Sequence, residues 1–242
     1  MKSRIIKTFY KTKSTEYTCD ESLFESTDNH VILSKEDEPF FKMISFGKGT
    51  FVKAQQPVYD ALNVFFAKQN GIYCFDAPQL CEINEILKQY SYQLDEIFDT
   101  FLPFDVENTQ INYDGSYRIA KLNFDDIERL EDKEQYQNAL NLDNFIDKYQ
   151  FAYAAFDQDK LAAISGTSGN SENFWPVGVD TVQQYRRLGL GTYLTGLMSK
   201  EVLKKGIYPI YSTWYSNIGS RTIAINCGYR PGCVEIGAVK FS

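Results

Sequence analysis

A glycine-containing segment in the last third of the chain has the residue types that bind a phosphate-bearing anion. Residues 180–192 read Asp-Thr-Val-Gln-Gln-Tyr-Arg-Arg-Leu-Gly-Leu-Gly-Thr, between a strand-like stretch and an apolar stripe at helical spacing. The first turn of a helix has N–H groups without intrahelical partners, and the helix dipole makes that end positive. Because Gly189 and Gly191 let an anion approach the main chain closely, we interpret this segment as a pyrophosphate-binding turn.

Two other phosphate-binding motifs do not fit this segment. A dinucleotide-binding fingerprint needs a third glycine, and Leu194 occupies that position. A P-loop needs Gly-Lys followed by Ser or Thr, whereas Gly191 precedes Thr192 and Tyr193. A packing role for the two glycines is the alternative to an anion site.

Histidine and cysteine usage excludes other chemistry. His30 is the only histidine and lies far from the glycine segment, so a Ser-His-Asp or Cys-His mechanism has no imidazole base. The five cysteines include no Cys-x-x-Cys pair, and an odd number is typical of free thiols in a reducing cytoplasm. We therefore expect neither a hydrolase triad nor a metal site.

The second half of the chain is expected to form an α+β fold, a mixed sheet flanked by helices. The apolar stripe from Leu190 to Met198, which includes Tyr193 as a packing residue, predicts a helix that ends before Gly206. Asn217 is expected to cap a further helix that ends at Gly228. Another helix begins at Asn123 or Asp125, and one is expected over 137–148. Strands are expected over 117–123, 151–157, 161–167, 175–182, 207–214 and 233–241.

The first half is expected to be a smaller α/β domain. Its first forty residues mix strand-like and polar pieces, and a hairpin is predicted over 41–47 and 50–55. Helices are expected from Pro57 and from Asp76, with a short strand at 72–75 between them. The turn-rich stretch 107–115 sets the boundary, giving domains 1–112 and 113–242. The hairpin-helix-strand-helix order echoes the second half, which leaves a degenerate repeat of the same fold open.

Two blocks of the sequence resemble the GNAT N-acetyltransferase superfamily. Arg186-x-x-Gly189-x-Gly191 after a strand is similar to its acetyl-coenzyme A (acetyl-CoA) signature, and the string from Asn217 through Ser220, Ala224 and Gly228-Tyr229 is similar to its second block. The element order of residues 116–242 also matches that fold. The whole is similar to a bacterial branch with an extra N-terminal domain, so the first domain is expected to shape the acceptor pocket.

The resemblance implies a set of residues that bind acetyl-CoA. Main-chain groups of Val179 and Thr181 would line the pantetheine arm, and the turn after them would hold the pyrophosphate. Asn217 and Ser220 would touch the far end of the cofactor. The implied set is Val179, Thr181, Arg186, Arg187, Leu188, Gly189, Leu190, Gly191, Thr192, Asn217 and Ser220.

The residues for proton transfer are less defined. Because no histidine is nearby, the base that deprotonates the amine must be a carboxylate acting through water. Asp180 and Glu172 are the candidates, and a structural role is the alternative for each. Many relatives place an acidic tyrosine seven residues after the asparagine, but that position is Ala224. Tyr215, Tyr229 or Cys227 could substitute, or the thiolate leaves unassisted; of these, Tyr215 is the residue we include among the catalytic candidates.

The resemblance therefore implies an acetyl-CoA-dependent N-acetyltransferase that acts on a primary amine, of a small molecule or a larger one. A non-catalytic acyl-CoA-binding sensor is the alternative, with Ala224 as a sign of lost chemistry. The net charge of −7 argues against nucleic acid as a partner, although residues 183–242 have a net charge of +6. No apolar run is long enough for a membrane span. We expect a cytoplasmic protein, with monomer and homodimer both open.

Overall fold

Two compact units make up the chain in this computed structural model, which describes residues 2–140, 149–169 and 171–241. The first unit comprises Lys2–Thr100, Trp214–Ser216 and the chain from Pro231 onward. The second unit comprises Phe101–Thr213 and Asn217–Arg230. The chain first passes from one unit to the other after residue 100, and the last strand packs with the first unit.

Helices and strands are interspersed along the chain. The helices are α1 Lys2–Tyr17, α2 Gln56–Phe66, α3 Ala77–Lys88, α4 Phe124–Glu128, α5 Gln137–Leu140, α6 Leu190–Lys204 and α7 Ile218–Asn226. The strands are β1 His30–Leu33, β2 Phe41–Ser45, β3 Thr50–Ala54, β4 Tyr92–Leu102, β5 Arg118–Leu122, β6 Tyr149–Asp157, β7 Lys160–Ser168, β8 Phe174–Thr181, β9 Tyr208–Trp214 and β10 Arg230–Lys240. Within the described residues, no helix is long and apolar enough to cross a membrane.

The first unit is built on strands in the order β1-β3-β2-β10-β4. β10 pairs antiparallel with β2, and Ile236 of β10 is buried in a core with Met43 and the apolar faces of α2 and α3. This core explains why the C-terminal strand belongs to a unit made mostly of N-terminal residues.

The second unit has strands in the order β9-β8-β7-β6-β5. Strands β5 to β8 are antiparallel neighbours, and β8 is parallel to β9. Met198 and Val202 of α6 pack with Ala224 and Cys227 of α7 in one buried core. The prediction of an α+β fold with a mixed sheet flanked by helices is confirmed.

Most predicted elements of the second half are found in the structure. The hairpin β6–β7, strands β8 and β9, and helices α6 and α7 lie where the hydrophobic spacing placed them. Asn123, not Asp125, caps α4: its side chain accepts a bond from the Asp126 N–H, and the Asp126 carboxylate accepts one from the Asn123 N–H. The expected helix over 137–148 is described as α5, Gln137–Leu140; residues 141–148 lie outside the described residues.

Two predictions for the first half were wrong. The opening segment is the helix α1, whose buried side chains are only Ile5, Phe9 and Tyr17; a stripe this narrow gives a weak periodic signal. The expected strand at 72–75 is instead a 3₁₀ turn, Gly71–Tyr73, which the Asn70 side chain begins by accepting a bond from the Ile72 N–H at 3.3 Å. The hairpin β2–β3 is confirmed.

Candidate functional site

The turn between β8 and α6 is anchored at its start to the neighbouring hairpin. The Val182 N–H donates to the Ala162 carbonyl of β7 at 3.0 Å. The Tyr185 hydroxyl donates to Asp157 Oδ2 at 2.9 Å, at the tip of the same hairpin, and this hydrogen bond raises the pKa of Tyr185. The backbone therefore enters the glycine segment from a fixed position.

Six consecutive main-chain N–H groups, from Arg187 to Thr192, have no hydrogen-bond partner among the described residues. Gly189 is the N-terminal cap of α6 with φ of 79°, and no side chain caps the helix there. The next N–H group, that of Tyr193, makes the first hydrogen bond of the helix, to the Gly189 carbonyl at 2.9 Å. The helix thus presents a row of unpaired donors at its positive end.

Two arginines add charge to this row of donors. Arg186 Nε donates to the Thr181 carbonyl at 3.2 Å, and both Arg186 and Arg187 are exposed. Arg187 has φ of 67°, the left-handed region that residues with a Cβ rarely adopt. The turn therefore combines exposed positive side chains with open amides.

Gly191 lies where β8, α6 and α7 meet. A Cβ there would lie 3.2 Å from Ile223 Cδ1, 3.3 Å from Thr181 Oγ1 and 3.7 Å from Val179 Cγ2. Little room exists for any side chain at this position. The structure thus brings together Val179, Thr181 and Gly191, three residues of the implied acetyl-CoA set.

Strands β8 and β9 separate partway along their length. They pair in parallel over Phe174–Tyr208, Trp175–Pro209 and Pro176–Ile210, and no further pair follows among the described residues. The Tyr208 N–H donates to the Asn173 carbonyl, whereas the Val182 N–H faces β7. Since strand main-chain groups alternate in direction, those of Val179 and Thr181 point toward the gap beside β9.

Asp180 points to the opposite face of the sheet from α6, because side chains alternate along β8. Its carboxylate binds α5: Oδ1 accepts from Asn138 Nδ2 at 2.6 Å, and Oδ2 accepts from the Ala139 N–H at 2.8 Å. A Cβ on Gly178 would collide with the Asn138 carbonyl, so a glycine there lets the α5 backbone approach β8.

The other two catalytic candidates belong to other segments of the chain. Glu172 is exposed and precedes β8, and the six residue steps from Phe174 to Asp180 span roughly 20 Å at about 3.3 Å each. Tyr215 belongs to the first unit, where its N–H donates to the Ile97 carbonyl at 2.8 Å and its side chain is 55% exposed. The three residues named from sequence are therefore not one cluster within a single unit.

Helix α7 begins with a hydrogen-bonded group of polar side chains. Asn217 Oδ1 accepts from the Ser220 N–H at 3.1 Å, which confirms Asn217 as the cap. The Ser220 hydroxyl lies 2.7 Å from the hydroxyl of Tyr211 on β9. Tyr211 is a residue that the sequence analysis missed; its alternation along β9 indicates an inward-facing side chain, but nothing local indicates its partner.

Two of the residues considered as substitute acids are bound to other parts of the second unit. The Tyr229 hydroxyl lies 2.6 Å from Ser199 Oγ and is fully buried. Cys227 Sγ donates to the Thr192 carbonyl at 3.2 Å, and burial raises the pKa of Cys227 to about 12. A thiol with such a pKa stays protonated near neutral pH.

The fold of the chain is similar to that of a solved structure that covers most of its length. A GCN5-related N-acetyltransferase-like protein from Streptococcus suis aligns with 86% of this chain and 87% of its own, at 14% identity and a TM-score of 0.52. The chain is also similar to a putative acetyltransferase of the GNAT family from Novosphingobium aromaticivorans, with 17% identity over 63% of this chain and 68% of that chain and a TM-score of 0.44. A Drosophila protein aligns with 98% of this chain and 89% of its own, at 14% identity and a TM-score of 0.47.

The family is shown by the sequence over most of its length. The model of the GNAT acetyltransferase family matches residues 13–233. The chain therefore belongs to the GNAT acetyltransferase family, a class of acyl-transferring proteins. A comparison with curated proteins found no match.

Proposed function

We propose that this protein is an acetyl-CoA-dependent N-acetyltransferase that transfers the acetyl group directly to a primary amine. The observation that carries the proposal is the row of six unpaired N–H groups, Arg187 to Thr192, at the positive end of α6. Few ligands other than a phosphate-bearing anion could pair with so many donors at once. Family membership supports acyl transfer as the reaction.

The pyrophosphate of the donor would bind this row of amides. Arg186 and Arg187 would add charge-assisted hydrogen bonds from the solvent side. Gly189 and Gly191 keep side chains out of the space that the phosphates need. Charge and hydrogen bonding would then both favour binding of the pyrophosphate at the N-terminal end of α6.

The pantetheine arm would run from this turn along the open edge of β8. The arm has amide groups, and the main-chain groups of Val179 face the gap beside β9. Because β8 and β9 are paired at Pro176 and Ile210, the arm must stop before those residues. The reacting thioester would therefore lie near Val177 and Gly178, where the two strands meet.

The amine would approach from the α5 side of the sheet. Asp180 lies on that side, and its two bonds to α5 leave lone pairs that can bind a water. Such a water would take the proton from the attacking amine, while Glu172 remains the second candidate base. The new N–C bond forms as the C–S bond breaks, and the sulfur leaves with the bonding electrons.

The acceptor would be a small molecule or an amino group of a larger one, and neither nucleic acid nor a membrane is proposed as a partner. The cytoplasm suits both the donor and the five unpaired cysteines. Monomer and homodimer both agree with this proposal.

The test measures binding and turnover separately. Calorimetry measures the binding of CoA, and a thiol-release assay measures turnover of acetyl-CoA with a panel of primary amines. Both are applied to the wild type, to Gly191→Glu and to the control Gly206→Glu, which lies at the other end of α6. We expect turnover with at least one amine, and loss of CoA binding in Gly191→Glu alone. Binding without turnover on a broad panel would favour the sensor, and full CoA affinity in Gly191→Glu would overturn the site.

A further inference from the structure

Helix α7 has an alanine at the position where a tyrosine would supply an acid, and a hydroxyl one turn earlier. Ala224 is fully buried, and its methyl group has no acidic proton to donate. Ser220 precedes it by four residues and therefore lies on the same face of the helix. A hydroxyl therefore lies one turn before Ala224, on the same face of the helix.

A phenol from the adjacent strand supports that serine. The Tyr211 hydroxyl lies 2.7 Å from Ser220 Oγ, and the Tyr211 side chain is 3% exposed. Its ring packs in the core that also contains Ala224, with its centroid 5.9 Å from that of Tyr229. The ring is therefore held by packing, and its hydroxyl is fixed against the serine.

Tyr211 stands at the point where the two parallel strands separate. Ile210, the residue before it, is the last one of β9 that pairs with β8. The donor arm proposed above ends at this same point, because the paired strands block it. Ser220 is partly exposed at the start of α7, whereas Tyr211 is buried.

Two other groups of this core, the Tyr229 hydroxyl and the Cys227 thiol, already have partners. Tyr229 is bonded to Ser199, and Cys227 donates to the carbonyl of Thr192. The pair Ser220–Tyr211 lies beside the point where the two strands separate, at the narrow end of the gap.

We propose that Ser220 contacts the sulfur of CoA and donates a hydrogen bond to it as the thioester breaks, with Tyr211 as the positioning residue. This inference rests on the proposed function. In this arrangement the Tyr211 hydroxyl would donate to Ser220 Oγ, which would leave the serine proton for the sulfur. The sulfur leaves as a thiolate stabilised by this bond, the amine proton passes to water, and a proton from bulk water restores the thiol.

The environment of Tyr211 keeps its hydroxyl protonated. Burial raises the pKa of Tyr211 to about 12, and the bond with Ser220 opposes that rise only in part. The phenol therefore stays protonated in any ordinary assay buffer. Its role is to orient the serine, not to surrender its proton.

The test compares CoA with desulfo-CoA, which lacks only the sulfur, and needs no acceptor. Calorimetry is done on the wild type, Ser220→Ala, Tyr211→Phe and the control Tyr229→Phe, which removes a hydroxyl from the same core. We expect the wild type to bind CoA about two- to tenfold more tightly than desulfo-CoA, the range of one hydrogen bond. This preference should vanish in Ser220→Ala, shrink in Tyr211→Phe and persist in Tyr229→Phe.

Turnover gives a second readout. With any amine that supports acetyl transfer, kcat should fall about ten- to a hundredfold in Ser220→Ala, with little change in KM for acetyl-CoA. Ser220→Thr keeps a hydroxyl and should retain most of the wild-type kcat. Equal binding of the two ligands by the wild type, or an unchanged preference in Ser220→Ala, would overturn the inference while the proposed function stands. If the wild type binds neither ligand, the proposed function fails and this inference fails with it.

Discussion

At the scale of the residue, two glycines with the same φ distinguish an effect on CoA binding from an effect on stability. Gly189 and Gly206 both have φ of 79°, and a Cβ at either would meet no atom within 4 Å. Alanine at either position should therefore lower the free energy of unfolding by a similar amount, about 1 kcal/mol. Only Gly189→Ala distorts the row of amides, so it alone should weaken CoA binding, about tenfold. Urea unfolding and calorimetry on both variants test this; equal CoA affinities would contradict it.

Asp180 also allows two roles to be separated at this scale. In Asp180→Asn the side chain keeps one acceptor oxygen for two donors, Asn138 Nδ2 and the Ala139 N–H, and stability should fall by about 1–3 kcal/mol. If Asp180 also binds the water that deprotonates the amine, kcat should fall about a hundredfold or more.

The matched control for Asp180 is Asp157→Asn. The Tyr185 hydroxyl donates to Asp157, and an amide oxygen can still accept that bond. Its stability and kcat should therefore both stay near the wild-type values. A loss of stability in Asp180→Asn with unchanged kcat would make Asp180 a purely structural residue and leave Glu172 as the candidate base.

At the scale of the element, the core between β9, α6 and α7 predicts how stability changes in alkali. Burial raises the pKa of Cys227 from 9.0 and that of Tyr211 from 10.0, each to about 12. Above pH 9 the unfolded chain releases these protons while the folded chain keeps them. The free energy of unfolding should therefore fall as the pH rises from about 9 to about 12, by at most about 1.4 kcal/mol per pH unit for each group.

Urea unfolding at several pH values between 8 and about 11 measures this fall. Tyr211→Phe and Cys227→Ala each remove one titrating group, so each should make the fall less steep. Tyr215→Phe, at an exposed tyrosine, is the control and should follow the wild type. Parallel curves for all variants would mean that this core does not hold the protons as the structure indicates.

At the scale of the whole molecule, the units are not consecutive stretches of chain. A fragment 113–242 would contain β10 without β2, its antiparallel partner, and would expose Ile236. It would also lack the bonds that join Asp105 to Gly228 and Lys200 to Thr109. We expect this fragment to aggregate or to unfold without a cooperative transition.

A fragment 101–230 is the comparison for that prediction, because it keeps the second unit and omits the unpartnered strand. It should be the more soluble of the two and should unfold more cooperatively in urea, with a larger m-value relative to its length. Cooperative unfolding of 113–242 at equal or higher stability would show that the compact units described here are not units of folding.

The sequence by itself determined the local features of this protein. Gly189 and Gly191, the apolar stripe of α6 and the cap at Asn217 are written in neighbouring residues, because a turn or a helix end is decided by side chains a few positions apart. For the same reason the order of strands and helices in the second half could be predicted. The narrow stripe of α1 and the short apolar run at 72–75 gave signals too weak to separate helix, strand and turn.

Only the tertiary structure decided which distant residues meet. Asp180 binds Asn138 from forty-two positions away, Tyr211 meets Ser220 across two elements, and β10 joins strands from the opposite end of the chain. Such contacts depend on strand order and on how each helix packs across the sheet, and the local pattern of residues does not contain that information. The binding turn could therefore be predicted from sequence, whereas the groups that would face the reacting sulfur and the amine could not.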